Sequence, residues 1–456
     1  MQKACDIGYD GAFQRRHNVF RSKWPPKKTF NIPDMLLNNQ KTQTVANLII
    51  FFALMMFPVS VVSVDHVSGF SALIVVFSGM VTILVLRKQI LPFTVEEKIL
   101  FLMVTLLFVS ACISSIYNHT GLARADRLSL LILMIPMYIF FKHHHVQEKY
   151  IWPGLIAGSL ITLIVAIYQK FGLSLPRVAG SVHPILFGDM ALLMGTLSLA
   201  GVGWFHQQKH WLSVLPVLAF MSGLTASALS LTRGGWVALP FFMLILARYA
   251  SRHLSAKKVA LLIILTLFVI GAICVIPQTG MQDRIVYTVD NLNRYMDSVD
   301  VDDPARDTPS GLRFEMWKAT WLIFTDNPVV GIGWGELQQK TRELVEQGLI
   351  HPFASNYYHA HNQYLSALAK GGLFGFLSLS ALLLFPLLIF LKYLKDKDSG
   401  AEIRRVCLAG LILVIGFVCF SLTEAILERS RTITFYAFYL SVFMAMILRK
   451  TSLADG

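Results

Sequence analysis

Charged residues are scarce in this chain. Asp, Glu, Lys and Arg together make up 15% of its 456 residues, whereas soluble globular proteins usually contain about 25%. Hydrophobic residues instead account for 55% of the sequence. A soluble domain cannot bury that much apolar surface, so the composition excludes an ordinary soluble protein and predicts an integral membrane protein.

Cysteines are few and far apart. Four of the five lie in apolar runs, and the full set is Cys5, Cys112, Cys274, Cys407 and Cys419. No two of them have the spacing of a metal-ligand pair or of a redox motif. The sequence therefore predicts small buried thiols rather than a disulfide framework or a cysteine metal site.

Motifs for binding nucleotides or nucleic acids are missing as well. Gly331-Ile332-Gly333-Trp334-Gly335 resembles a phosphate-binding glycine loop, but it follows no strand of a βαβ unit, so we interpret it as a turn. A net charge of +13 would suggest nucleic acid in a soluble protein. Here the basic residues flank membrane segments, so we expect no nucleic-acid partner. We expect the basic run Lys142-His143-His144-His145 to be a solvated loop.

Long apolar runs dominate what is present. A helix needs roughly 20 apolar residues to cross a hydrocarbon core of about 30 Å. Such runs occur at residues 45–64, 69–86, 98–117, 128–141, 151–169, 184–205, 211–231, 235–250, 258–277, 364–391, 406–423 and 432–448. The sequence therefore predicts an all-α integral membrane protein with about twelve transmembrane helices.

Basic residues predict the orientation, because Lys and Arg are retained in cytoplasmic loops. Residues 1–44 form a basic tail without an apolar stretch, so we expect no cleavable signal peptide and a cytoplasmic N-terminus. Helices 1–9 then occupy residues 45–277 and helices 10–12 occupy residues 361–450. Residues 451–456 form a second cytoplasmic tail, and residues 278–360 form one large loop on the outer side.

The large outer loop is predicted to carry function, because long loops in compact proteins are uncommon without one. Pro309-Ser310 is typical of a helix start, and Asn327-Pro328 of a helix end. Between them, tryptophans and phenylalanines alternate with polar residues. This pattern fits either a helix lying on the membrane interface or a helix packed on the transmembrane bundle.

Arginines on the outer side are exceptions to the rule that Lys and Arg are retained in cytoplasmic loops. Arg233 lies in a tight turn before Gly234-Gly235, where a guanidinium can bind a phosphate through two hydrogen bonds and the glycines admit a ligand. The alternative is an anchor to lipid headgroups. Arg313 lies at the start of the loop helix, where a cation is unfavourable because it opposes the helix dipole. This position indicates that Arg313 binds a ligand rather than stabilises the helix. Arg177, in another outer turn near His183-Pro184, is a further candidate for a phosphate contact.

A histidine cluster stands where the loop re-enters the membrane. His359 and His361 lie between tyrosines and are followed by Asn362. Three interpretations fit the pattern. One histidine is a general base for a substrate hydroxyl, or both are polar partners in an aromatic belt, or both bind a metal with His351 or an aspartate as third ligand.

These features together resemble the O-antigen ligase and polymerase superfamily of bacterial inner membranes, over about residues 45–448. The motifs that carry the resemblance are Thr232-Arg233-Gly234-Gly235, Arg313-x-x-x-Trp317, Phe324-x-x-x-Pro328-x-x-Gly331-x-Gly333-x-Gly335, His359-x-His361-Asn362-x-x-Leu365, and Gly371-Gly372 with Gly375.

The resemblance implies a membrane glycosyltransferase similar to the GT-C type, with a periplasmic active site. Its donor would be an O-antigen polysaccharide on undecaprenyl diphosphate, and its acceptor a sugar of lipid A–core. Arg233 and Arg313 would hold the diphosphate. His361, or else His359, would deprotonate the acceptor hydroxyl, and the transfer would invert the anomeric centre without metal or cofactor.

Within this superfamily the sequence favours a ligase, because the stretch from Arg177 to Gly188 is similar to ligases. The alternatives are an O-antigen polymerase or a protein O-oligosaccharyltransferase. A transporter or flippase is a less favoured hypothesis. Transporters place ionisable groups near the middle of the membrane, and Asp189 is the main candidate for such a buried charge.

Overall fold

The computed structural model describes residues 40–86, 92–122, 125–250, 281–298 and 300–454, with positions 260, 264, 266–268, 271 and 275 between them. These residues contain helices and no strand. The helices are α1 Gln40–Ser60, α2 Val67–Leu86, α3 Val95–Tyr117, α4 Met134–His144, α5 Glu148–Ile167, α6 Pro184–Leu199, α7 Val202–Gln208, α8 Val214–Leu229, α9 Leu239–Ala250, α10 Met281–Asp297, α11 Pro309–Asp326, α12 Leu337–Glu346, α13 Gln363–Lys395, α14 Ala401–Phe420 and α15 Ser430–Ala454. Short helical turns link them, and the compact unit Ala46–Gly456 contains every residue of the site described below.

Eight of the described helices are long and apolar enough to cross a membrane: α1, α2, α3, α5, α8, α13, α14 and α15. A ninth span is possible where α6 and α7 meet at a bend of 46°. The chain is therefore an all-α integral membrane protein, which confirms the fold class predicted from the sequence.

The apolar runs identified in the sequence map onto these helices. Beyond the eight long helices and the bent pair, α4 and the stretch Gly234–Ala250 are shorter. The 11 residues of α4 span only about 16 Å, too little to cross the bilayer alone. The tail at 1–39 lies outside the described residues, and so does the run at 258–277 except for the seven positions given above. Twelve spans and the predicted division of the chain stay predictions.

Helix α6 lies at the centre of the bundle. Every residue from Ile185 to Leu199 is buried, and α6 packs closely along α8. Small residues allow this approach: a Cβ added to Gly223 would lie 2.3 Å from the carbonyl oxygen of Ala191. Such small-residue contacts let membrane helices pack backbone to backbone. The end of α8 is thereby fixed beside the start of α6.

Helix α13 is interrupted, and the glycine-rich segment Gly331–Gly335 packs into the interruption. Gly372 has φ of 60° and ψ of −158° within α13. The amides of Ile332 and Gly333 donate to the carbonyls of Ala369 and Lys370, at 3.0 and 2.9 Å. The glycine-rich segment is therefore a structural turn, as interpreted from the sequence, because its amides bind backbone carbonyls of α13.

The long loop is built around a buried carboxylate. Glu315 of α11 accepts hydrogen bonds from Tyr295 Oη at 2.9 Å, from Arg306 Nη1 at 3.1 Å and from the His351 amide at 2.9 Å. Thr308 caps the start of α11 by accepting from the Gly311 amide. Since α11 packs against α13, its apolar face contacts the bundle, which was one of the two arrangements expected.

The expectation of a solvated loop at Lys142–His145 is wrong. Lys142 and His144 are buried, and Lys142 Nζ lies 2.6 Å from Glu97 Oε1. Tyr138 donates a hydrogen bond to the same carboxylate. The basic run continues helix α4, and a buried lysine is tolerated because it is paired with Glu97.

We predict that Gly372→Ala destabilises the protein, whereas the neighbouring Gly371→Ala does not. A Cβ on Gly372 would lie 2.4 Å from the carbonyl group of Val329, and its positive φ lies in a region essentially restricted to glycine, which costs an alanine about 1–3 kcal/mol. A Cβ on Gly371 would meet only Trp334 Nε1 at 3.7 Å. Thermal unfolding of both purified variants in detergent measures the difference. Equal midpoints would contradict the tight contact between α13 and the loop.

Candidate functional site

Three arginines line one cavity at the end of the bundle that faces the long loop. They are the three that the sequence singled out as phosphate contacts. The cavity is lined by Arg177, Ile185, Leu231, Thr232, Arg233, Gly234, Arg313 and Thr423. Three guanidinium groups around one small cavity form a site suited to a phosphate or diphosphate.

The arginine turn, Thr232–Gly235, is held on both sides. Thr232 Oγ1 donates to the carbonyl of Pro184 at 2.9 Å. A Cβ on Gly234 would lie 2.3 Å from Thr423 Oγ1, and one on Gly235 would lie 2.4 Å from Asp189 Oδ1. A Cβ at either position would force the Thr423 or Asp189 side chain to move, so the turn packs tightly between α6 and the segment that follows α14.

The other two arginines come from distant parts of the chain. Arg177 lies before α6, and its Nε donates to the carbonyl of Ser230 at 3.2 Å. Arg313 lies near the start of α11, so it lines the cavity only when the long loop is folded against the bundle. The left-handed backbone of Leu231, with φ of 57°, turns the chain sharply just before Arg233. Such strain in a non-glycine residue is common at binding sites.

The two histidines differ sharply in their surroundings. His361 is part-exposed, and its Nδ1 lies 2.7 Å from Glu424 Oε2. In the tautomer that donates Nδ1–H to an ionised Glu424, the Nε2 atom of a neutral His361 keeps its lone pair. No residue in the described ranges hydrogen-bonds to that Nε2 atom. This is the arrangement of a histidine oriented by a carboxylate to accept a proton.

His359 is instead buried and surrounded by donors. Arg429 Nη2 lies 2.9 Å from its Nε2, and the amide of His361 lies 3.2 Å from its Nδ1. Burial, together with the charges of His361, Lys370 and Arg429, lowers the pKa of His359 to about 3, against the attraction of Glu424. His359 is therefore neutral at ordinary pH, and its Nε2 atom faces Arg429.

Glu424 is the centre of this cluster. Its carboxylate is almost fully buried and faces both histidines, 2.7 Å from His361 Nδ1 and 3.7 Å from His359 Nε2. Burial would raise the pKa of Glu424, but the hydrogen bond from His361 and the positive charges around it outweigh burial and hold the pKa at about 2. The carboxylate is thus a permanent anion beside His361.

The histidine loop, Tyr357–Asn362, is fixed by backbone contacts. Asn362 Oδ1 accepts from the amides of Tyr364 and Leu365 and caps α13. Trp317 Nε1, from α11, donates to the carbonyl of Ala360 at 2.9 Å. His361 itself has a left-handed backbone, with φ of 48°. The sequence motif His-Asn therefore combines a helix cap with a histidine turned out of the helix.

The arginine cavity and the histidine cluster are adjacent. Thr423 lines the cavity, and the next residue is Glu424, the partner of His361. His183 precedes the first residue of α6 and lies within electrostatic reach of both groups. Burial is the main cause that lowers its pKa; the charge of Glu424 opposes this, and the charges of Arg177, Arg429 and His361 add to it. An anion in the cavity would therefore lie close to the part-exposed imidazole.

The expected third metal ligand is corrected by the structure. Neither His351 nor an aspartate joins the histidines; the ligand atoms that come within 4.8 Å of one another belong to His359, His361 and Glu424. His351 is held elsewhere, through its amide, by Glu315. A cation among the three groups would have to displace Arg429 from His359 and separate His361 from Glu424, so the donor set is better suited to protons than to a metal.

Sequence reasoning missed Glu424, Thr423 and Arg429. They lie in the short segment between α14 and α15, for which the sequence analysis predicts no function. A carboxylate so close to the end of an apolar run was a usable signal, because charges at such positions rarely occur without a partner. Its partner was not identifiable, since His361 is 63 residues away.

Fold and site together define a class: a helical integral membrane protein with an anion cavity beside a histidine–carboxylate pair. Residues 217–380 match the family model described as O-antigen ligase. The match contains Arg233, Arg313, His359 and His361, confirms the resemblance predicted from the sequence and supports membership of the O-antigen ligase superfamily. An uncharacterised protein of Haemophilus influenzae is 27% identical over 359 residues, which cover 78% of this chain and 88% of the relative.

We predict that His359 makes the protein less stable as the pH falls from 6.5 towards 3. In the unfolded chain His359 takes up a proton near its ordinary pKa of 6.5, whereas in the folded protein it stays neutral to about 3. The unfolded state then binds more protons, which costs stability by up to about 1.4 kcal/mol per pH unit. His359→Gln should flatten the pH dependence of the thermal midpoint.

The matched control for this prediction is His206→Gln, because His206 is exposed and its substitution should leave the slope unchanged. An unaltered slope in His359→Gln would show that the buried histidine does not exclude the proton.

Proposed function

We propose that the protein is a glycosyltransferase that moves a glycan from a lipid diphosphate to a sugar hydroxyl, specifically an O-antigen ligase. The observation that carries the proposal is the convergence of Arg177, Arg233 and Arg313 on one cavity next to the His361–Glu424 pair. The arginines match an anionic leaving group, and the histidine matches a hydroxyl nucleophile that must lose its proton.

In the proposed reaction the acceptor hydroxyl attacks the anomeric carbon of the donor sugar. The hydroxyl proton passes to Nε2 of His361, and the charge that forms on the imidazole is stabilised by Glu424. The bond between the anomeric carbon and the diphosphate oxygen breaks, and the diphosphate leaves with the electron pair. Attack from the side opposite the leaving group inverts the anomeric centre.

The arginines stabilise the leaving group. Cleavage leaves one more negative charge on the diphosphate than the donor carried, so fixed cations favour the transition state over the bound donor. Arginine stays protonated at any physiological pH, so this stabilisation does not depend on the pH of the compartment. Because diphosphate is already a good leaving group, these residues are sufficient without a metal or other cofactor.

The proposed substrates are two lipids. The donor is O-antigen on undecaprenyl diphosphate, and the acceptor is lipid A–core; both are available at the periplasmic face of the bacterial inner membrane, where the long loop is proposed to lie. The site lies where the helical bundle meets this loop, so α11 contributes Arg313 from the loop while Arg233 comes from the membrane part. The family match by its description favours the ligase. A polymerase or a protein O-oligosaccharyltransferase would use the same groups.

The lipopolysaccharide of a strain that lacks this gene tests the proposal. Loss of O-antigen from lipid A–core, with polymerised glycan retained on undecaprenyl diphosphate, is the expected result. Core capped by a single repeat unit would indicate a polymerase. An unchanged profile would contradict both and would turn attention to protein glycosylation or transport.

Variants expressed in that strain test the assigned chemistry. His361→Ala removes the proposed base, and Glu424→Gln removes the carboxylate that orients it, so each should lower the ligation rate by roughly 10²–10⁴-fold. His351→Ala is the matched control, since it removes a histidine from the same loop that does not contact Glu424. Normal ligation by His361→Ala, at normal expression, would reject His361 as the base.

We predict that EDTA leaves the activity of the purified protein unchanged. Arg429 occupies Nε2 of His359, and Glu424 occupies Nδ1 of His361, so a metal shared by the two histidines and Glu424 would have to displace both contacts. Assays with and without EDTA, each followed by addition of single divalent ions, measure this. Loss of activity that one ion restores would establish the metal interpretation instead.

A further inference from the structure

Tyr357 is an exposed aromatic residue beside the proposed base, and the reaction described so far gives it no role. Its side chain is 36% exposed. Its ring centroid lies 5.7 Å from the ring centroid of His361, with the two planes inclined at 67°. A tyrosine that serves the core buries its ring. Packing in the core therefore does not account for an aromatic residue at this position.

The backbone of Tyr357 is held on both sides. Before it, the helical turn Pro352–Asn356 ends where the Tyr357 amide donates to the carbonyl of Ala354, at 3.4 Å. After it, the hydroxyl of Tyr358 accepts from Arg429 Nη1 at 2.5 Å, and the same guanidinium lies 5.4 Å from the Tyr358 ring centroid. The ring of Tyr357 is thus exposed on a fixed backbone, so a ligand that contacts it need not first order the loop.

The proton transfer itself brings the acceptor to this ring. A hydroxyl that gives its proton to His361 must come within about 2.6–3.2 Å of an imidazole nitrogen. It cannot approach through Glu424, because that carboxylate is buried and already contacts Nδ1. The approach that remains is from solvent, where the ring of Tyr357 is exposed. One C–O bond joins the hydroxyl to its sugar, so the sugar ring comes as close to His361 as Tyr357 does.

Tyr357 belongs to the acceptor side of the site rather than to the donor side. None of the described residues of the histidine loop is part of the lining of the arginine cavity, where the diphosphate is proposed to bind. In an inverting transfer the nucleophile and the leaving group lie on opposite faces of the anomeric carbon. A sugar that reaches His361 therefore lies away from the arginines and next to the histidine loop.

The flat face of an aromatic ring suits a sugar in particular. A pyranose directs most of its hydroxyls outward and presents C–H groups on its faces. The negative face of an aromatic ring attracts such C–H groups, and the contact removes apolar surface from water. Tyrosine offers this area at a low entropic cost, because its side chain has only two rotatable bonds.

We propose that Tyr357 forms an acceptor subsite: its exposed ring binds the face of the sugar whose hydroxyl is presented to His361. The inference rests on the proposed function and deepens it, because it specifies a sugar ring as the acceptor. A serine or threonine hydroxyl of a protein offers no such face. The subsite therefore favours a ligase or a polymerase over a protein O-oligosaccharyltransferase.

Two simpler roles for the ring make different predictions. If the ring only orients His361, Tyr357→Ala lowers kcat and leaves the affinity for the acceptor unchanged. If the ring only packs against the loop, the variant lowers the thermal midpoint. The acceptor subsite predicts a loss of acceptor affinity at an unchanged midpoint, with the affinity for the donor unchanged.

The experiment uses the full chain in detergent and two separate probes. Core oligosaccharide freed from its lipid A reports on the acceptor side, and undecaprenyl diphosphate without glycan reports on the donor side. Binding of each probe is measured as the ligand-dependent rise in the thermal midpoint. Tyr357→Ala should raise the Kd for the core oligosaccharide, and KM for lipid A–core in the transfer assay, by roughly 3–10-fold. Its Kd for undecaprenyl diphosphate should equal that of the unmodified protein.

Two further variants serve as controls. Tyr357→Phe keeps the ring and should therefore keep the Kd for the core oligosaccharide. Phe353→Ala is the matched control, because Phe353 is an exposed aromatic residue of the same loop whose ring lies 5.5 Å from that of His351. Since His351 does not contact Glu424, this variant should bind both probes like the unmodified protein.

Each other outcome decides against the subsite. An unchanged Kd for the core oligosaccharide in Tyr357→Ala, with or without a lower kcat, would overturn it and leave the proposed function intact. A large fall in the unliganded midpoint would assign the ring a structural role instead. If the unmodified protein binds undecaprenyl diphosphate but not the core oligosaccharide, the sugar subsite is rejected. If it binds neither probe, the proposed function fails, and the inference that rests on it fails too.

Discussion

The contact of the arginine turn with its two neighbours is the constraint on which the site depends. Gly234 packs on Thr423 and Gly235 packs on Asp189, each without room for a Cβ. Because Thr423 is followed by Glu424, the backbone that carries Arg233 touches the segment that orients His361. The arginine cavity and the histidine cluster therefore belong to one packed unit, in which the glycine backbone of the turn lies against the side chains of Thr423 and Asp189.

Buried ion pairs extend this unit outward. Lys370 Nζ lies 2.6 Å from Glu428 Oε2 and joins α13 to the segment of Glu424. Glu315 gathers Tyr295, Arg306 and the His351 amide and so folds the long loop around α11. Single ion pairs of this kind contribute little net stability but penalise alternative arrangements, since breaking one leaves a buried charge unpaired. They fix where Arg313 and the histidine loop stand relative to the bundle.

Much of the site was predictable because its residue types were unusual for their positions. The sequence predicted phosphate contacts at Arg177, Arg233 and Arg313, because arginine is uncommon on the side of the membrane opposite the basic loops. The structure brings these three residues to one cavity. The choice between His359 and His361 was open in the sequence. The surroundings favour His361: Arg429 and burial keep His359 neutral, whereas Glu424 hydrogen-bonds to His361. The roles of these residues stay predictions.

By itself the sequence determined the all-α membrane fold, the loop helix that begins at Pro309 and the turn at Gly331–Gly335, because hydrophobic run length, helix caps and glycine spacing are local properties. Only the tertiary structure decided which charged groups meet. Glu424 and His361 are 63 residues apart, and Asp189 reaches the arginine turn from another helix. Even the local run Lys142–His145 was misread, since its burial depends on Glu97. Contacts between distant segments depend on helix packing, which no local pattern in one sequence encodes.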